Sequence, residues 1–200
     1  MLRVGLTGGL ASGKSFVGQA LAELGCHLIR ADELGHQTLA PGGEAHDGAV
    51  KEFGPDIVDP DGTIDRRKLA AAVFDDPERL ARLNALVHPP VIRREEELIA
   101  ELKARDPDGI AVVEAAILIE TGHYRRFDRL ILAVCEERQQ IERAVERGVT
   151  REEAEARLRR QMPLEEKRKF ADYIIDTSGG KEDTLRQVRE VYSSLRSIKP

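Results

Sequence analysis

The sequence predicts an α/β fold, a five-stranded parallel sheet with helices on both faces, and three observations carry that expectation. An apolar run near the N-terminus ends in a glycine-rich turn and hands over directly to an amphipathic helix. Two later runs, "IAVVEAAIL" from Ile110 and "RLILAV" from Arg129, are rich in branched aliphatics without strict alternation, the pattern of strands buried on both faces. Five such segments are interleaved with helical ones, which requires crossover connections rather than hairpins.

Taken in order, "LRVGLT" is the first strand, and Val17, Ala20, Leu21 and Leu24 repeat at helical spacing before Gly25 stops the first helix. "HLIR" is the second strand, joined by a right-handed crossover. Residues 33 to 109 show turns at "APGGEAHDG" and "DPDGT", no further clear strand, and a helical stretch with Leu80, Leu83 and Val87 on one face. Pro89 and Pro90 are expected to break or bend it before a polar helix resumes around Leu98, Ile99 and Leu102. After the third and fourth strands, residues 136 to 169 are charged and helical, with Thr150 and Glu153 spaced as a capping box for a helix ending near Met162. "YIID" at Tyr173 to Asp176 is the last strand, and a C-terminal helix buries Leu185, Val188, Tyr192 and Leu195.

Composition bounds the function. The 200-residue chain is 41% hydrophobic and 34% charged, an ordinary globular balance. Its net charge of −5 argues against a general nucleic-acid surface, so any anion site must be local. Cys26 and Cys135 are far apart and form no CxxC pair, which points to neither a disulfide framework nor a zinc cluster. No apolar stretch approaches the ~18 residues of a spanning helix, and "MLRVGLTGG" has no signal-peptide character. The expectation is a cytoplasmic protein with no membrane partner and a reducing environment. The oligomeric state is not encoded in these features.

Gly8-Gly9-Leu10-Ala11-Ser12-Gly13-Lys14-Ser15 is a full match to GxxxxGK[ST], placed between a strand and a helix as a phosphate-binding P-loop requires. Phosphates need many hydrogen-bond donors in a small concave space, and successive backbone N–H groups together with a helix N-terminus supply them. Side chains would obstruct that approach. The nucleotide site is therefore assigned to Gly9, Leu10, Ala11, Ser12, Gly13, Lys14, Ser15 and Phe16, with ATP as the ligand. Lys14 reaches the β/γ phosphate oxygens, and the Ser15 hydroxyl completes the coordination of Mg²⁺. The fold class is then of P-loop NTPase type. The single asparagine, Asn84, is not in an NKxD motif, and "TSGG" lacks the remainder of a transport-ATPase signature, which leaves a small-molecule kinase.

A kinase also needs a group that orients the acceptor hydroxyl and takes its proton. Asp32, just after the second strand, has two readings from the sequence: that group, or the N-cap of the helix beginning "ELGHQTL". Glu114, ending the third strand, either assists Mg²⁺ through water or hydrogen-bonds a neighbouring loop.

The blocks "GLTGGLASGKS", "IRADELGHQ", "FGPDIVDPDGTIDRRKLAAAVF", "LNALVHPPV", "RGVTREEAEARLRRQM" and "ADYIID" occur in this order, and together the chain resembles the dephospho-CoA kinase family over nearly its entire length. The resemblance implies that ATP donates its γ-phosphoryl group to the ribose 3′-hydroxyl of dephospho-CoA, the last step of coenzyme A synthesis. It implies one kinase domain over residues 1–200, with a helical acceptor-binding segment at about 33–105 and a helical lid at about 136–169. Asp32 falls on the family's catalytic aspartate. In the acceptor segment Leu69, Val73 and Leu83 read as core, His88 as a helix-end hydrogen-bond donor or a substrate contact, and Arg66, Arg67 and Lys68 as pyrophosphate contacts or a solvated face.

In the lid, residues 138 to 169 carry eight Arg and two Lys against seven Glu. A guanidinium lowered onto the transferring group stabilises its transition-state charge. Arg147 is the first candidate and Arg143, four residues earlier, the second; Arg138 with Glu142 and Arg151 with Glu155 have ordinary ion-pair spacing. Two positions depart from the family pattern: Ala116 stands where a proline is usual, and "DTSG" at Asp176 to Gly179 lacks the usual asparagine, which puts nucleotide selectivity there in question. A nucleoside or nucleotide kinase and a regulatory nucleotide-binding module are the competing functions.

Overall fold

Five short apolar segments pair side by side, and the three central ones, the first, third and fourth in chain order, bury residues on both of their faces. β1 is Leu2–Gly8, α1 Lys14–Glu23, β2 His27–Arg30, α2 Ala31–Leu39, α3 His46–Phe53, α4 Arg66–Phe74 and α5 Pro77–Arg105. Then come β3 Ile110–Glu114, β4 Arg129–Val134, α6 Glu137–Glu146, α7 Arg151–Arg160, α8 Leu164–Arg168, β5 Tyr173–Asp176 and α9 Lys181–Ser197. This computed structural model describes residues 1–74 and 76–198; Asp75, within the expected 33–105 segment, and Lys199 and Pro200, at the end of the expected domain, lie outside the described residues. The strand order is β2-β3-β1-β4-β5 and every pair is parallel.

Both alternate sets of strand residues are buried. Leu2, Val4, Leu6, Ile110, Val112, Ile131, Ala133 and Ile175 form one core with Val17, Ala20 and Leu21 of α1 and Val188, Val191 and Leu195 of α9. Ala111, Val113, Leu130 and Leu132, which point the other way, are equally buried. On that side a Cβ at Gly5 would meet Leu130, Phe127 and Leu118, so glycine there permits close packing. The register aligns Leu6 and Arg30 with Glu114 and pairs Gly8 with Ala133 and Val134 with Asp176, so the five carboxyl ends form one edge.

The chain divides into two compact units. The first comprises Met1–Arg30 with everything from Glu101, and holds the sheet; the second is Ala31–Ala100. The second unit has its own core of Ala49, Phe53, Ile57, Ile64, Leu69 and Val73, with Leu83 and Leu86 packed against it. Among the described residues it contains no strand, only an isolated bridge between Val58 and Ile64.

Three expectations are corrected. The proline pair does not break the helix: α5 runs continuously from Pro77 to Arg105. Val87 and Val91, on either side of the pair, both lie alongside Gly35 of α2, where a Cβ would stand 3.8 Å and 4.0 Å from them, so α5 is packed against α2 on both sides of the prolines. Leu80 is exposed rather than part of the apolar face. β3 ends at Glu114 instead of running on through Leu118, because after Ala115 N–H donates to Leu6 O the backbone turns, with Thr121 and Gly122 bonding back to Ile117 and Ile119. Among the described residues no helix is long and apolar enough to cross a membrane.

Candidate active site

The loop from β1 to α1 is shaped by what cannot fit in it. A Cβ at Gly8 would lie 2.3 Å from Ser12 Oγ and 2.7 Å from the Ala133 carbonyl oxygen, so only glycine lets the strand turn there. Gly13 has φ 84° and precedes α1 without a capping side chain, which leaves the first amides of α1 for a ligand. Ala11 also has a left-handed backbone, φ 49°, at a cost of about 1–2 kcal/mol for a residue with a Cβ. Its methyl group is buried with Ile141, Ala144 and Ala154, and Leu10 packs beside it with Val149 and Leu158. The loop thus rests its apolar side chains on the α6–α7 hairpin and leaves its backbone to form the concave face.

That concavity is lined by Ala11, Ser12, Gly13, Lys14, Ser15, Phe16 and Arg147. Ser15 Oγ donates to Glu114 Oε1 at 2.5 Å. Glu114 is 4% exposed; its second oxygen has no hydrogen-bond partner and lies 3.8 Å from Arg30 Nε. Of its two sequence readings, the hydrogen bond to a neighbouring loop is therefore present. An exposed hydroxyl beside a buried carboxylate with an unsatisfied oxygen also presents the hard donors Mg²⁺ selects, so the residues fit that ion.

Arg143 and Arg147 are employed differently. Arg147 terminates α6 and faces the concavity. Arg143 donates to Thr177 Oγ1 at 3.0 Å and to Thr177 O at 2.7 Å, and Thr177 Oγ1 donates to Ser12 O at 2.8 Å. Thr177, the position where the family pattern is broken, thus links hairpin and loop; a Cβ at Gly13 would lie 2.9 Å from its hydroxyl oxygen. Burial, partly offset by Arg143, pushes the neighbouring Cys135 thiol up from its ordinary value. The Thr150–Glu153 capping box forms as its spacing predicts, and α7 ends at Arg160. Arg138 pairs with Glu142 at 2.8 Å and Arg151 with Glu155 at 3.9 Å, both exposed. Beyond the hairpin, buried Lys167 of α8 meets Glu120 at 2.7 Å.

In the second unit, Asp32 occupies the first turn of α2, two residues after β2 ends. One turn along, His36 accepts from the Arg66 guanidinium. Burial and then the Arg66 charge hold the His36 imidazole below its usual range, against the opposing pull of Asp32 and Glu33. Lys68 is committed to Asp59 at 2.9 Å. Lys14, Ser15, Phe16 and Arg147 are therefore brought together within the first unit, with Arg143 tied to them through Thr177; Asp32 belongs to the other unit.

Sequence reasoning missed Gln161 and Gln140. Gln161 Oε1 accepts from the Leu10 N–H at 3.1 Å, and Gln140 Nε2 lies 2.8 Å from where a Gly9 Cβ would be. A glutamine one residue past a helix end carries no local signal.

The sequence profile of a family described as dephospho-CoA kinase matches residues 2–183. The chain is 41% identical over 195 residues to dephospho-CoA kinase of Aquifex aeolicus, covering 98% of each. It is similar to a Thermus thermophilus protein of known crystal structure, with TM-score 0.82, 35% identity and 97% of each chain covered. It is also similar to the dephospho-CoA kinase structure from Campylobacter jejuni, with TM-score 0.71, 25% identity, and 97% and 96% covered.

Proposed function

Since the chain belongs to the dephospho-CoA kinase family, whose members catalyse the ATP-dependent phosphorylation of dephospho-CoA that completes coenzyme A synthesis, we propose how its own residues share that work. The observation that carries the proposal is the strand-end concavity that joins the P-loop, Lys14 and Arg147. Loop amides and Lys14 hold the donor phosphates. Arg147 faces the transferring group and stabilises the charge spread over its equatorial oxygens. Arg143 acts through Thr177, fixing the carbonyl side of the loop so that its amides stay aimed inward.

Asp32 accepts a hydrogen bond from the ribose 3′-hydroxyl and takes its proton as the new P–O bond forms. Its place just past β2, whose last residue Arg30 is in register with Glu114, supports this role. Ser15 and, through water, Glu114 would hold Mg²⁺, which when bound neutralises phosphate charge. The whole chain serves as one kinase domain, with the helical segment at about 33–105 taking the acceptor and that at about 136–169 acting as the lid. Two unbridged, buried cysteines accord with the cytoplasm.

The test is ADP release with dephospho-CoA beside a panel of nucleosides and nucleoside monophosphates. Turnover with dephospho-CoA alone is expected; turnover only with another acceptor, or ATP binding without acceptor-dependent turnover, refutes the proposal. Asp32→Asn should lower kcat by about 10²–10⁴-fold and leave the Kd for ATP within about twofold, since it removes proton acceptance and leaves the cradle intact.

A further inference from the structure

Phe16 breaks the pattern of the helix that carries it. α1 turns Val17, Ala20 and Leu21 into the core, while Gln19 and Glu23, three and seven residues after Phe16, stand exposed on its solvent side. Phe16 belongs to that second stripe and is 36% exposed. Gln19 is occupied with polar neighbours there, accepting from Arg30 at 3.1 Å and donating to Glu23 at 3.4 Å. A large apolar side chain left in water on a polar stripe forgoes the free energy of its burial, and such a breach of local pattern is where function is to be sought.

The ring lines the concavity together with the loop, Lys14 and Arg147. Three kinds of surface meet there: backbone amides, the cationic side chains of Lys14 and Arg147, and an aromatic face. A nucleoside triphosphate brings a polyanion and a flat base, joined by a sugar. Amides and cations suit the polyanion. A phenyl ring has no hydrogen-bond donor and a negative π-face, so it suits a base and not a phosphate. Position agrees with chemistry. Lys14 and Phe16 are two residues apart in α1, about 200° around the helix axis, so the ring stands on the other side of the first turn from the ammonium group.

We propose that the Phe16 ring is the platform on which the base of the nucleotide donor stacks while the loop and Lys14 hold its phosphates. This rests on the phosphotransfer function proposed above and assigns to that same site the group that grips the nucleoside. Recognition of this kind follows the area of the π-face rather than the hydrogen-bond pattern of the base edge, because every base has such a face. Purine triphosphates are therefore held more tightly than pyrimidine ones. Dephospho-CoA carries an adenine of its own, which is the competing occupant of the ring.

Calorimetric titrations of wild type, Phe16→Ala, Phe16→Leu and Phe16→Tyr with ATP, CTP and inorganic tripolyphosphate test this, alongside the KM values for ATP and dephospho-CoA. Because Phe16 is exposed and alanine favours a helix, Phe16→Ala should keep the fold, as its thermal unfolding would verify. It should raise the Kd for ATP about tenfold or more and leave that for tripolyphosphate within about twofold, with the KM for ATP rising in step. Phe16→Tyr, which keeps the ring, should stay within about threefold of wild type for ATP, whereas Phe16→Leu, which keeps only apolar bulk, should not. Wild type should prefer ATP to CTP at least about threefold, and Phe16→Ala should lose that preference. A parallel loss for ATP and tripolyphosphate would mean that the ring only shapes the loop. No loss for either would leave it a surface residue, and a rise confined to the KM for dephospho-CoA would give the ring to the acceptor; each of these overturns the proposal. A wild type that binds ATP without phosphorylating dephospho-CoA would refute the phosphotransfer function, while the comparison of ATP with tripolyphosphate would still decide the role of Phe16.

Discussion

The loop at residues 8–15 and the α6–α7 hairpin share one small apolar cluster, but they are specified by opposite means. The loop works through its backbone, and its glycines are dictated by sterics: Gly8 has no space for a Cβ and Gly13 has φ 84°. The hairpin works through the tips of long side chains. Arg143 reaches Thr177, Gln161 reaches Leu10, and Arg147 faces the concavity, whereas Arg138 and Arg151 spend their charge on exposed pairs one turn away. Backbone requirements leave a local signature; side-chain reach is decided by which distant segment the fold brings alongside.

If this contrast holds, changes to the loop should be the most damaging. Lys14→Ala removes the one side chain of the loop that must reach phosphate, and kcat/KM should fall by about 10²–10³-fold or more, as steady-state kinetics would register. Gly8→Ala should come next. Because the new Cβ would meet the Ala133 carbonyl at 2.7 Å, the turn itself must shift, and titration calorimetry should show ATP affinity reduced at least about tenfold. Retained affinity would break the claim that the loop is specified by sterics.

The two hairpin arginines sharpen the contrast from the other side. Arg147→Ala should lower kcat about tenfold to a hundredfold with its melting temperature nearly unchanged, because Arg147 lines the concavity, where the proposed function puts the transferring group. Arg143→Ala forfeits two charged hydrogen bonds to Thr177 and should instead cost about 1.5–3 kcal/mol in urea unfolding, with the smaller loss of kcat. Matching profiles for the two would mean that they act as one group. The smallest effect is expected at Ala11→Gly, where relief of about 1–2 kcal/mol of left-handed strain opposes the loss of a buried methyl worth about 0.8 kcal/mol. Thermal unfolding should place this variant within about 1 kcal/mol of wild type.

The sheet and the loop were legible because each is a local pattern: "RLILAV" and "YIID" are β4 and β5 to the residue, and the glycine motif marks the strand-to-helix turn. Thr150 and Glu153 betrayed the start of α7 for the same reason. The pairing of Ser15 with Glu114 was only half legible, since a carboxylate at a strand end can face a metal or a loop, and the register that aligns Glu114 with Leu6 decides which groups surround it. The division of labour between Arg143 and Arg147 was not legible at all; four residues apart on a charged helix, they differ only in what lies opposite. The unbroken α5 shows the same limit, because the residue that packs beside it on both sides of Pro89 and Pro90 is Gly35, more than fifty positions earlier.

The seating of Leu10 and Ala11 among Ile141, Ala144, Ala154 and Leu158 has a practical consequence for anyone altering this enzyme by directed evolution. Positions 10, 11, 141, 144, 154 and 158 form a single combinatorial block: a library that varies the first pair alone will discard good solutions whose compensating change lies some 130 residues downstream. Randomised together, they would allow heat tolerance to be improved without dulling the grip on the nucleotide.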